Sequence, residues 1–296
     1  MLSILIPNYN RSITDLLANL CEQAKNEGIV YEILVGDDCS DDTVIQQYRQ
    51  FDAGDSISVF QHKNRLGRSA NRNFLAQNAK YDFLLFIDSN AEVSDSHFIR
   101  KYLSAKDLAP VLVGGIAYSE KPPLNAAYLL RWKYGRSREM KSSELRNKKP
   151  TQSFISFNFM INKEVFNKIK FDERLTEYGH EDTLFGFRLM QKNADVLHLD
   201  NALIHSGMIM GEEYLIKTRK SLDNLKYILQ ILDDDPEFVQ EVKLLKTYRR
   251  VRRFKLDTVL KYFFHISKKK LENHLVSHNP KILFFQLYKL AYYCSL

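Results

Sequence analysis

The chain has 296 residues and a formal net charge of +7, enough for one large α/β domain or for such a domain with an appendage. Its three cysteines, Cys21, Cys39 and Cys294, are odd in number and widely scattered, which excludes a disulfide framework or a zinc site and points to a reducing compartment. The opening MLSILIPNYN has no basic n-region and does not read as a signal peptide; no stretch reaches the roughly 18 uninterrupted apolar residues of a membrane span.

Leu2 to Ile6 is a short apolar run ended by Pro7, and Tyr31 to Val35 is a second, ended by Gly36, Asp37 and Asp38. Between them Leu16, Leu17, Leu20 and Ala24 mark one helix face, so a first β-α-β unit is expected. Ile57 to Phe60 reads as a third strand, Ser69 to Ala79 as a helix, and Tyr81 to Ile87 as a strand covered on both faces. Strands alternating with helices predict an α/β, Rossmann-like, mainly parallel central sheet. Polar clusters then fall at strand ends: PNYN from Pro7, DDCS from Asp37, and Asp88-Ser89-Asn90. Ligands of open α/β sheets bind beyond that edge. There is no GxGxxG and no GxxxxGK[ST], which leaves out a dinucleotide fingerprint and a P-loop. Asn64-Arg65-Leu66-Gly67-Arg68 offers cations for phosphates, with a solvated helix start as the plainer reading.

Val111 to Tyr118 gives another strand. Glu120 to Pro150 is long and mixes Lys and Arg with Tyr128, Trp132 and Tyr134, the composition of a lid or binding loop; Tyr128 to Trp132 equally fits a short helix packed on the core. Thr151 to Ile161 has strand character, and a helix is expected from Lys163. In FDERLTEYGHEDTLFGFRL, from Phe171, Gly179 suits a tight turn and Glu181-Asp182-Thr183 opens a helix. Acidic residues there complement the helix dipole, a placement that keeps a carboxylate ionised as a proton acceptor requires. Short strands are expected over Ala194 to Asp200 and Leu203 to His205.

From Lys217 to Leu296 there are 17 Lys and Arg against 8 Asp and Glu. Tyr214 to Leu232 and Phe238 to Phe254 read as helices, with Asp233, Asp234 and Asp235 as a capping cluster between them. Lys243 to Lys270 carries eleven basic residues and one acid, and an aromatic stretch follows from Pro280. This combination fits a peripheral anchor on an anionic membrane surface, and packing against a partner helix fits it as well. The basic run lacks the evenly interleaved aromatics of a nucleic-acid surface.

SILIPNYNR, EILVGDDCSDDT, NRLGRSANRN and FLLFIDSN together resemble the nucleotide-sugar half of the family 2 glycosyltransferases, which have the GT-A fold. The Gly179 to Asp182 stretch resembles that family's acceptor-side motif, most closely in bacterial polysaccharide-building domains such as those of chondroitin polymerase. The resemblance, over roughly residues 1 to 215, implies a domain at 1–211 (donor half 1–117, acceptor half 118–211); the change of character after Gly211 marks 212–296 as a basic helical extension outside its specific part. It implies a donor site of Pro7, Tyr9, Asp38, Arg68 and Asp88, with Asp38 on the base and Arg68 near the diphosphate. It implies Asp182 as general base and Glu181 as an acceptor contact; Trp132 and Tyr134, whose aromatic faces suit stacking on sugar rings, are further candidate acceptor contacts. It further implies a divalent metal, Mn²⁺ or Mg²⁺, on Asp88, Asn90 and His205, with Asn90 where the family usually has a second carboxylate.

The function so implied is inverting transfer of a sugar, with a UDP-sugar favoured, to a hydroxyl of a glycan or lipid-linked glycan. The expected setting is bacterial surface polysaccharide synthesis, cytoplasmic or peripheral on the inner face of the membrane. Asn90 keeps alive an alternative, a catalytically inactive nucleotide-sugar or polysaccharide-binding protein of the same fold.

Overall fold

The computed structural model describes residues 1–49 and 56–296. In chain order it begins β1 (Leu2–Asn8), α1 (Thr14–Asn26), β2 (Tyr31–Asp37), α2 (Asp42–Arg49), β3 (Ile57–Gln61), α3 (Arg68–Asn78), β4 (Phe83–Ile87), β5 (Ala91–Glu92), α4 (Phe98–Ala105), β6 (Val111–Val113) and β7 (Ile116–Ala117). Then come α5 (Leu129–Tyr134), α6 (Ser143–Asn147), β8 (Asn158–Asn162), α7 (Lys163–Ile169), α8 (Glu181–Gln191), β9 (Val196–His198) and β10 (Leu203–His205). The remainder is helical: α9 (Gly211–Ile231), α10 (Pro236–Glu241), α11 (Lys243–Arg253), α12 (Asp257–Leu275) and α13 (Ile282–Ser295).

Two compact units result. Met1–Ala117, Lys141–Thr176 and Glu181–Gly207 form the first, and Tyr118–Met140, Glu177–His180 and Met208–Leu296 the second. The boundary expected after residue 211 thus lies near the last segment of the second unit, which also takes two segments from the expected acceptor half.

In the first unit the described residues form a seven-stranded sheet of order β3-β2-β1-β4-β8-β6-β9. All neighbours are parallel except β8, which runs antiparallel to both β4 and β6. The sheet is therefore mainly parallel, as the alternation of elements requires. Its central strands read as unbroken apolar runs because both faces are covered: Leu84, Leu85, Phe86 and Ile87 are all fully buried. Phe86 stacks between Phe159 of β8 and Phe166 of α7, with ring centroids 4.7 and 5.2 Å away. A second, three-stranded sheet, β5-β10-β7, pairs His205 with Ala91.

Two stretches differ from expectation. The strand expected over Thr151 to Ile161 begins only at Asn158. Phe154 turns inward onto Phe159 and Phe185, and the chain folds into turns closed by Ser153 N–H on Lys149 O and Phe154 N–H on Thr151 O. The stretch from Glu120 to Pro150 is largely helical: a 3₁₀ turn at Ala126–Tyr128, α5, a π-helical turn at Gly135–Glu139, and α6. Buried Arg131 organises its first part, donating to Glu139 Oε2 at 3.0 Å and to the Tyr118 hydroxyl at 2.5 Å.

In the second unit Leu130, Tyr214, Leu215, Phe264, Leu271, Leu275, Phe285 and Tyr288 share one apolar cluster. The helix expected from Phe238 to Phe254 breaks at Val242, whose extended backbone ends α10 and starts α11. Asp235 caps α10, accepting from Glu237 N–H at 2.7 Å and Phe238 N–H at 3.3 Å. Asp233 and Asp234 take left-handed conformations at the turn before it, a role acidic residues tolerate. No helix among the described residues is long and apolar enough to cross a membrane.

Candidate functional site

Strand order puts β1, β2 and β4 side by side, so the segments after them meet at one sheet edge. The first two are tied directly: Asp38 N–H donates to Asn8 O at 2.9 Å, Asn10 N–H to Ser40 Oγ at 2.7 Å, and Asp41 N–H to Asn10 Oδ1 at 2.7 Å. Asp37 is fully buried and takes the Tyr48 hydroxyl. Pro7 lies within β1, paired with Gly36, and the exposed Tyr9 ring carries the Arg65 guanidinium 3.9 Å from its centroid.

Asp38 has a defined task in the folded chain. Its carboxylate accepts from Leu66 N–H at 2.5 Å and Gly67 N–H at 3.1 Å, which fastens the segment entering α3. Gly67, at φ 81°, turns the chain into that helix, a conformation a side chain would resist.

Helix α3 then presents two arginines one turn apart on one face. Arg68 Nη1 lies 3.6 Å from Glu181 Oε1, and Arg72 Nη1 lies 3.5 Å from the same oxygen. Arg72 Nη2 stands 4.0 Å from Asp88 Oδ2. Arg68 is about half exposed, whereas Arg72 is 2% exposed, its guanidinium 5.1 Å from the Phe171 ring centroid. Sequence reasoning missed Arg72. The available signal was its four-residue spacing from Arg68 within NRLGRSANRN.

Asp88 follows β4, its N–H bonded to Phe157 O and its C=O accepting Ala91 N–H, both at 2.9 Å. Asn90 closes back on it, with backbone N–H and side-chain Nδ2 donating to Asp88 Oδ1 at 3.0 and 2.9 Å. Ser206 N–H and Oγ both donate to Asn90 O, at 2.9 and 2.8 Å, so the end of β10 is locked to this turn. The His205 ring stacks on Phe157, centroids 5.4 Å apart. Burial alone would raise the Asp88 pKa, but Arg68 and Arg72, the Asn90 N–H and His205 outweigh it and hold the carboxyl below its ordinary range.

These residues fit a divalent cation. Asn90 Oδ1 is buried and, among the described residues, accepts no hydrogen bond; it belongs to the side chain whose nitrogen is spent on Asp88. A carboxylate, an amide oxygen and an imidazole make a mixed donor set suited to Mn²⁺ or, more loosely, Mg²⁺. The described residues contain no cluster of three His, Cys, Asp or Glu that could hold a metal, so the set relies on the uncharged oxygen of Asn90.

Helix α8 supplies the carboxylates. Phe185 stacks on Phe171 at 4.4 Å, and Asn73 of α3 grips the chain before α8 by accepting from Phe171 N–H and donating to Phe171 O, at 3.0 and 2.9 Å. Glu181 is buried, and Asp182 accepts its neighbour Thr183 N–H at 2.8 Å. Helix position alone predicted an easily ionised Asp182. Burial and the adjacent Glu181 instead push its pKa up to about 6, against the opposing pull of the Thr183 N–H, Arg72 and Arg68.

The first unit thus collects Arg68, Arg72, Asp88, Asn90, His205, Glu181 and Asp182 at one site. Trp132 and Tyr134 belong to the second unit. The Trp132 indole donates to Ser119 O at 2.8 Å. Tyr134 packs edge-on against Phe285 and accepts from Lys289 Nζ at 3.0 Å.

The chain is similar to known proteins. Over 248 residues the chain is 28% identical to a chondroitin synthase of Pasteurella multocida, covering 72% of this chain and 25% of that protein; it therefore spans about a quarter of that relative's length. Among solved structures it is similar to S. aureus TarS 1-349 in complex with UDP, with a TM-score of 0.52, 21% identity, and coverage of 90% of this chain and 73% of that one. It is also similar to the mannosyltransferase PcManGT from Pyrobaculum calidifontis in complex with GDP-Man and Mn²⁺, with a TM-score of 0.59, 11% identity, and coverage of 99% and 84%. The fold is accordingly the GT-A arrangement. The model of glycosyl transferase family 2 matches residues 3–170, more than half of the sequence, and the chain belongs to that family.

Proposed function

We propose that this chain transfers a sugar from a nucleoside-diphosphate sugar, a UDP-sugar in the first instance, to a hydroxyl of a glycan or lipid-linked glycan, with inversion at the anomeric carbon. The observation that carries the reading is that one buried arginine, Arg72, stands against both Asp88 and Glu181, beside a carboxylate, Asp182, whose pKa is pushed up to about 6. A base of that pKa is mostly ionised at neutral pH and still basic enough to accept a proton in the transition state.

Asp182 takes the acceptor hydroxyl proton. The acceptor oxygen forms its bond to the anomeric carbon as the bond from that carbon to the diphosphate oxygen breaks, and the nucleoside diphosphate leaves with the electron pair. Arg68, partly exposed beside the site, faces the charge developing on the diphosphate. From within the protein Arg72 sets its charge against Glu181 and Asp88 and helps hold the Asp88 carboxyl below its ordinary range, and Glu181 is placed to accept a hydrogen bond from the acceptor. Pro7, Tyr9 and Asp38 border the nucleoside; Asp38 acts there in part by shaping the 66–67 turn. Trp132 and Tyr134 remain proposed acceptor contacts. A divalent cation held by Asp88, Asn90 Oδ1 and His205 would supply positive charge against the diphosphate. Support for the donor class comes from the UDP, UDP-GlcNAc and GDP-Man complexes of the similar structures. Support for a polysaccharide product comes from the chondroitin synthase relative.

The decisive experiment screens UDP-, GDP- and dTDP-sugars with glycan acceptors, measuring release of nucleoside diphosphate with Mn²⁺ or Mg²⁺ and with chelator. Turnover with one donor is expected, and Asp182→Asn should lower it by about 10²–10⁴-fold while leaving donor binding intact. Full activity in Asp182→Asn would remove the assigned base. Nucleotide binding without turnover on any donor would favour the binding-protein reading that Asn90 raises.

A further inference from the structure

The second unit carries a surface that the transfer chemistry does not use. Helix α12 buries one face, with Phe264, Leu271 and Leu275 in the apolar cluster. On the rest of its circumference, Val259, Tyr262 and Ile266 recur at spacings of three and four and form a second apolar stripe. Together with Phe254 and Leu256 on the turn leading into α12, these five side chains are 50–71% exposed.

Cations are dense along the same segment. Arg252, Arg253, Lys255, Lys261, Lys268, Lys269 and Lys270 are all exposed, and Asp257 is the one acid in that stretch. Beside it, Lys261, Tyr262, Phe264, His265 and Lys268 of α12 and Ser295 of α13 line a groove of about 560 Å³. Five large apolar groups held in water are unfavourable unless something covers them. The charge of the segment decides what. A second copy of the same segment would bring cations against cations, and like charges so arranged repel. A bilayer surface rich in anionic lipid satisfies both features, since apolar side chains enter the headgroup boundary while lysines and arginines meet lipid phosphates.

We infer that the α11–α12 turn and the exposed stripe of α12 form a docking face for an anionic lipid bilayer, with Phe254, Leu256, Val259, Tyr262 and Ile266 entering the interface and Arg252 to Lys270 supplying the electrostatic attraction. The inference stands on the second unit alone and requires neither donor nor acceptor.

Co-sedimentation of the intact chain with vesicles of phosphatidylcholine, and of an equimolar mixture with phosphatidylglycerol, tests it. Binding to the mixed vesicles should exceed binding to neutral ones by at least about tenfold and should be released at high salt. The variant Lys268→Gln/Lys269→Gln/Lys270→Gln should lose on the order of a hundredfold in partitioning, about fivefold for each charge. Val259→Ser/Tyr262→Ser/Ile266→Ser should also release the chain, with its circular dichroism melt unchanged because these positions lie outside the core. Three outcomes overturn the inference: no binding of the parent chain to the mixed vesicles, undiminished binding by both variants, or self-association that the apolar variant abolishes in a chain that ignores vesicles. Failure here leaves the transferase reading intact, and an inactive enzyme that still binds vesicles leaves the docking face intact.

Discussion

Asp182 shows how one residue's environment sets both reactivity and stability. The unfolded value of 3.8 rises to about 6 in the folded chain, so between about pH 4 and 6 the folded state holds a proton that the unfolded state has released. The contribution of Asp182 to stability therefore falls as pH rises through that window. Transfer should follow the opposite course, increasing through pH 6 as the base ionises. Asp182→Asn should accordingly lower the activity by about 10²–10⁴-fold and raise the melting temperature relative to the parent above pH 6. A pH–rate profile together with paired melts at pH 5 and pH 8 checks both halves.

Arg72 is the counterpart on the cationic side. Removing it as Arg72→Met takes away the cation that stands against Asp88 and the buried Glu181, and loss of one partner of a buried ion pair costs about 3–5 kcal/mol. The same change removes a cation that lowers the Asp182 pKa, so any residual activity should show its acid limb shifted upward. Denaturant titration reads the first effect and the pH profile the second. At the cation site, Asp88→Ala should abolish metal-dependent transfer, whereas Asn90→Asp adds charge and should tighten Mn²⁺ binding, as calorimetry with the nucleotide present would show. Equal Mn²⁺ affinity in the parent and both variants would place the metal elsewhere.

At the scale of elements, the position of α8 determines where the carboxylates point. Gly186 in its middle runs against helix propensity, because alanine there would ordinarily gain about 1 kcal/mol. A Cβ at 186, however, would sit 2.5 Å from Thr151 O and 3.1 Å from Phe154 Cβ. The close approach of α8 to the 151–154 turns requires the absent side chain, so Gly186→Ala should destabilise the chain. It should also lower kcat more than it changes donor affinity, by tilting the helix that carries Asp182. Melting temperature and separate kcat and KM measurements test this; a stabilised, fully active variant would contradict it.

The helices and strands around the site were legible wherever one pattern ran unopposed. β4 ends at Ile87, just before Asp88, because the apolar run ends there, and α3 followed from its spacing. The strand expected from Thr151 was not, because TQSFISF alternates well enough for a strand and only the pull of Phe154 toward Phe159 and Phe185 bends it into turns. The Glu120 to Pro150 stretch fitted a binding loop by its length and its mix of charges and aromatics, and the short helix that Tyr128 to Trp132 fitted equally well is close to the observed α5. Arg131, buried with Glu139 and Tyr118, converts part of that charge into internal structure.

For the whole molecule, ligand linkage gives a test independent of any acceptor. A nucleoside diphosphate with Mn²⁺ at about a hundred times its Kd should stabilise the fold by about 2.7 kcal/mol, visible as a rise in melting temperature that chelator reduces. No shift with any nucleotide would count against the donor site as a whole. The sequence by itself determined the alternation of elements, the ends of β1, β2 and β4 where polar residues interrupt apolar runs, and the family motifs lying at those ends. These are local properties, carried by periodicity and by which residues can close a strand. Only the tertiary structure decided that Arg72 is buried between Asp88 and Glu181, that Asp38 secures the turn into α3, and that Asp182 holds its proton up to about pH 6. Each of these depends on burial and on charges brought together from distant parts of the chain, quantities that no single stretch contains.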